Sequence, residues 1–113
     1  MEYYGAIFKV GEDKYIFEGD DPWEVFRGLT KVQDIPCLIN MGRVYEDEAF
    51  QPQLEELNDV YYKWSEHPNE GPFTIDDFKN LTVILSIGSI ICLGTAETYD
   101  AVEALRKKFK KSK

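Results

Sequence analysis

Apolar and polar residues alternate from Tyr3 to Val10: Tyr4, Ala6, Phe8 and Val10 fall on one side, Tyr3, Gly5, Ile7 and Lys9 on the other. A period of two is that of a strand, whose successive side chains point to opposite faces. Gly11-Glu12-Asp13 supplies a turn and Lys14 to Glu18 a returning strand, so the chain opens with a hairpin. Gly19-Asp20 ends it, and Asp21-Pro22-Trp23-Glu24 reads as a helix start. Asp21 can accept from the free backbone N–H groups, proline suits the first helical position, and Glu24 stands three residues after the cap. Val25, Phe26 and Leu29 would form the buried stripe of a short helix ending near Thr30.

Asp34-Ile35-Pro36 leads into an apolar run, Cys37 to Met41, which predicts a short strand with Pro36 at its beginning or on an edge. Between Phe50 and Glu66 the pattern changes. Leu54, Leu57, Tyr61 and Trp64 recur at spacings of three and four, the buried face of a helix, while Glu55, Glu56, Asp59 and Lys63 fall elsewhere on the wheel. Pro68, Asn69, Gly71 and Pro72 terminate it, and Thr74 opens a single helical turn within residues 73–80. Leu81 to Leu85 and Ser89 to Leu93 are rich in β-branched residues on either side of Ile87-Gly88, the pattern of a buried hairpin. A last helix opens at Asp100 and places Val102, Leu105 and Phe109 on one face, with its cations gathered at the C-terminal end that the helix dipole favours. The predicted order is β-β-α-β-α-β-β-α. The two hairpins imply an α+β fold, a mainly antiparallel sheet with helices packed on one face. Residues 1–109 form a single domain and residues 110–113 a frayed basic tail.

Charge sharpens this picture. The 113-residue chain carries a formal net charge of −8, but six of its 13 cations (Arg106, Lys107, Lys108, Lys110, Lys111 and Lys113) crowd its last eight positions. Residues 1–105 set seven cations against 21 acids, a charge of −14. Such a body repels a phosphate backbone and attracts a basic partner, so direct nucleic-acid binding is not expected. The most apolar stretch, Leu81 to Leu93, is shorter than the ~20 residues that span a bilayer, and Met1-Glu2-Tyr3-Tyr4 does not resemble a signal peptide. The expectation is a cytoplasmic protein off the membrane. Cys37 and Cys92 both lie among apolar residues and read as buried, reduced thiols.

Chemistry is sparse. His67 is the only histidine and follows a helix end, where it complements the helix dipole. There is no CxxC, HExxH, EF-hand loop, GxGxxG or GK[ST]. Asp20-Asp21 and Asp76-Asp77 suit helix starts better than a metal ion. No catalytic, cofactor-binding or metal-binding set emerges, and no cofactor is expected.

What remains is the acidic middle. Between Val44 and Phe78 lie ten acids and one fixed cation, Lys63, interleaved with aromatic residues. Tyr61 and Trp64 belong to the buried face of their helix, which leaves Tyr62 pointing sideways or outward. Tyrosine among carboxylates is typical of binding hot spots. Glu46, Asp47, Glu48, Glu55, Glu56, Asp59 and Tyr62 are therefore the candidate partner-binding residues. A single acidic α+β domain in which Ile35-Pro36-Cys37-Leu38-Ile39-Asn40 is followed by Leu54-Glu55-Glu56-Leu57 resembles small bacterial toxin-immunity proteins. That resemblance implies a cytoplasmic protein that neutralises a basic cognate toxin. The alternatives are a self-associating structural or regulatory subunit and a phage-encoded inhibitor that mimics the charge of DNA.

Overall fold

The computed structural model describes residues 2–45, 47–66, 75–78, 80–85 and 88–111. Strands β1 (Glu2–Val10) and β2 (Asp13–Gly19) form the opening hairpin, in register from Val10 opposite Asp13 to Tyr4 opposite Gly19. Gly11 closes the turn at φ 63°, a left-handed conformation that glycine adopts without a Cβ clash. Three helices follow: α1 (Pro22–Val32), α2 (Ile35–Tyr45) and α3 (Gln51–Glu66). Short 3-10 turns occupy Glu48–Phe50 and Ile75–Phe78, and β3 (Thr82–Leu85), β4 (Gly88–Thr98) and α4 (Tyr99–Lys111) complete the chain. The sheet order is β2-β1-β4-β3 with every neighbouring pair antiparallel. The α+β class and the antiparallel sheet are as the sequence predicts.

Two particulars differ. The segment Cys37–Met41 is helical, part of α2. Its buried residues Ile35, Leu38, Ile39 and Gly42 stand at helical spacing, and the Asp34 side chain accepts from the Cys37 N–H at 3.1 Å to start the helix. A run this short satisfies either periodicity, and here the cap decides it. The helices also lie on both faces of the sheet rather than one. β1 is apolar on both sides. Ala6 and Phe8 join Val25, Phe26, Leu29, Leu54, Leu57 and Phe78 in the larger core beneath α1 and α3. Ile7 joins Ala96, Val102 and Leu105 in a smaller core beneath α4. Gly5 and Gly94 make room for that helix, since a Cβ built on either would lie 3.2–3.3 Å from Val102 or Leu105.

The helix ends largely follow the local chemistry. Asp21 accepts from Glu24 N–H at 3.1 Å with Pro22 in the first turn. α4 begins one residue before Asp100 and is capped by Thr98, whose Oγ1 accepts from Ala101 N–H at 3.1 Å. It continues through Lys110 and Lys111, so those two residues of the expected tail are helical. Pro68 to Thr74, His67 and the Ile87 position of the second hairpin lie outside the described residues.

Candidate partner-binding face

α2 and α3 form an antiparallel pair on the outer side of the larger core. Close approach is set at Gly42, where a Cβ would meet Leu54 Cδ1 at 2.6 Å. At the same end Gln51 donates to the Gly42 carbonyl at 3.3 Å. Arg43 there binds Glu55, its Nε and Nη2 donating to Oε1 at 3.1 and 2.8 Å. At the other end Pro36 of α2 and Tyr61 and Trp64 of α3 border a cleft of about 460 Å³ with Thr30, Lys31 and Asp34.

With Leu54, Leu57 and Val60 buried, the opposite side of α3 carries Glu55, Asp59, Tyr62 and Glu66, spaced by four, three and four residues. All four are exposed, as is Glu56 beside them. Of the residues singled out by sequence, Glu55, Asp59 and Tyr62 thus share one stripe and Glu56 flanks it. Glu55 is already engaged by Arg43. Asp47 and Glu48 stand just before α3, where negative charge suits the helix N-terminus, and Asp47 also accepts from Ala49 N–H at 3.3 Å. Glu46 lies outside the described residues.

No family model, curated protein or solved structure matches the chain. The geometry therefore stands alone. It adds residues that charge-based reading passed over: Val44 and Tyr45 at the end of α2 are 71% and 73% exposed, with Met41 a turn earlier. Cys37 is exposed rather than buried, its Sγ 3.5 Å from Met41 Sδ, and Cys92 is half-buried; neither forms a disulfide. The available signal was the excess of apolar residues in α2, more than one buried face can use.

A second polar cluster sits on the far side of the sheet. Arg106 of α4 donates through Nε to both Glu18 carboxylate oxygens at 2.9 Å and through Nη2 to one of them. That hydrogen bonding holds the Glu18 carboxyl below its usual range, and burial followed by the Glu18 charge pushes the Tyr3 phenol up. Among the described residues no three His, Cys, Asp or Glu side chains gather as a metal site, and no helix is long and apolar enough to cross a membrane.

Proposed function

We propose that this protein acts by binding a basic protein and neutralising or inhibiting it, as an immunity protein does with its cognate toxin, and that the outer side of α2 and α3 is the face it uses. The observation that carries this reading is the exposed stripe of Glu55, Asp59, Tyr62 and Glu66 on one side of α3. Carboxylates gathered on one side raise the rate at which a cationic partner arrives, and exposed tyrosine holds it once water is excluded. The cluster around Arg106 and Glu18 joins α4 to β2 and reads as structural.

The test is affinity capture of the partner from the native cell, followed by association kinetics with the purified pair. A basic partner, a stoichiometric complex and a rate that falls steeply with salt are expected. An association rate indifferent both to salt and to reversal of Glu56 and Asp59 would remove the acidic face from the account. Self-association is the second reading, favoured by Ile84, half exposed on the four-residue edge strand β3. Sedimentation giving a concentration-independent dimer with no heterologous partner would select it.

A further inference from the structure

α2 departs from the rule that a surface helix turns charge to solvent. It is 11 residues long, yet its one charged side chain is Arg43, which the Glu55 carboxylate engages. Its buried side is complete with Ile35, Leu38, Ile39 and Gly42. Opposite them stand Cys37, Met41 and Val44, four and three residues apart, and Tyr45 follows at the helix end. Polar groups surround this apolar line on three sides: Asp34 before it, Asp47 and Glu48 after it, and the acids of α3 alongside. An apolar centre within a charged rim is the anatomy of a protein interface.

We infer that the outward stripe Cys37–Met41–Val44, with Tyr45, is the docking seat of the proposed complex, and that its occupant is a basic amphipathic helix of the partner protein. Charge complementarity selects this occupant. A second copy laid on the same stripe would set acidic rim against acidic rim, at a net charge of −8 per chain. A cationic helix brings lysine or arginine to those acids and an apolar ridge to the stripe. Two sulfur atoms in contact, Cys37 Sγ and Met41 Sδ, give the seat a polarisable surface that adapts to the shape of that ridge. The inference rests on the binding reading above and extends it: the acids of α3 govern arrival, and the α2 stripe joins Tyr62 in retention.

The probe is a synthetic helix of about 18 residues, roughly five turns, with leucine along one face and lysine elsewhere. Its partner in the comparison is a peptide of equal charge in which glutamine replaces every leucine. The full chain should bind the leucine peptide, and binding should slow alkylation of Cys37, the exposed thiol, while leaving Cys92 unchanged. Val44→Asp with Met41→Asp should weaken binding by about tenfold or more, the scale of losing a buried apolar anchor. Both positions face solvent, and unchanged circular dichroism and thermal midpoint would establish that the variant is folded; Tyr45→Ala provides a milder second variant with a smaller loss in the same direction. Equal affinity for the glutamine peptide would overturn the seat while leaving the acidic-face reading intact. No protection of Cys37, or a dimer abolished by Val44→Asp, would also overturn it. Failure of the acidic-face reading is seen separately, in association kinetics of the native pair indifferent to salt.

Discussion

Arg106 and Glu18, 88 residues apart in the chain, are joined by hydrogen bonds that tie α4 to the edge strand β2. The contact lies beside the smaller core, where, among the described residues, Ile7, Ala96, Val102 and Leu105 are the buried apolar side chains, with Tyr3, Ile16 and Phe109 partly buried against them. A layer with so few apolar residues depends on such peripheral attachments for its docking angle. The guanidinium also lies 6.0 Å from the centre of the Tyr99 ring, and Tyr99 packs on Tyr3 with centroids 5.6 Å apart, so Arg106 touches both the strand β2 and an aromatic pair that joins α4 to β1.

The pair makes stability depend on pH in a defined sense. The folded-state pKa of Glu18 lies below its unfolded value, so its contribution is complete above the ordinary carboxylate range and is lost as pH falls through the folded pKa. Urea midpoints measured between about pH 6 and 2.5 should fall more steeply for the wild type than for Glu18→Gln. Parallel curves would show that the pair is not coupled to folding.

Gly28 of α1 faces Phe17 of β2, and a Cβ there would lie 2.5 Å from Cδ1 and 3.1 Å from Cβ of the phenylalanine. Because the clash reaches the base of that side chain, the helix itself must move away. Gly28→Ala should therefore lose about 1–3 kcal/mol from overpacking, more than the ~1 kcal/mol that alanine returns through helix propensity. A lowered urea midpoint at unchanged slope is the expected result.

Phe26 is fully buried at the junction of α1, α3 and the 3-10 turn before β3. It stacks on Phe78 at 6.2 Å and meets Trp64 edge-on at 5.6 Å. Phe26→Ala should cost about 3–5 kcal/mol. Tryptophan emission should shift to the red in the folded variant as Trp64 loses its neighbour.

Charge reversal on α3 should have unequal effects. Glu55 is engaged by Arg43, so Glu55→Lys sets two cations together and loosens α2 against α3 as well as altering the surface field. Glu56→Lys with Asp59→Lys changes the field alone. The double variant should slow association with the native partner by about tenfold at low salt and far less at high salt, with dissociation little changed.

The alternation of β1, the Asp21-Pro22 start of α1 and the three-four spacing of α3 were legible because each carries its own local signal. α2 was not, because Cys37 and Met41 are apolar without being buried. They filled the gaps in Ile35-Leu38-Ile39-Gly42 and made a one-sided helix look like a continuous strand. The position of α4 on the opposite face was coded in Gly5 and Gly94, whose meaning appears only when β1 and β4 are paired. Sequence likewise singled out acids for the candidate face. It could not separate Glu55, paired on the surface with a residue 12 positions earlier, from Asp59 and Glu56. Nor could it find Val44 and Tyr45, whose exposure follows from where α2 ends.

The place of β1 between β2 and β4 bears on how the chain acquires its structure. β1 is synthesised before both of its neighbours; it receives one soon after, through the hairpin, but waits for Gly88–Thr98 before its other edge is paired. Until then Ala6 and Phe8 have an incomplete covering and an unpaired row of amides. Synthesis at about 5–20 residues per second makes that interval several seconds long. Nascent-chain proteolysis should accordingly show protection of the amino-terminal hairpin arriving late and abruptly, with the emergence of β4 rather than of α3.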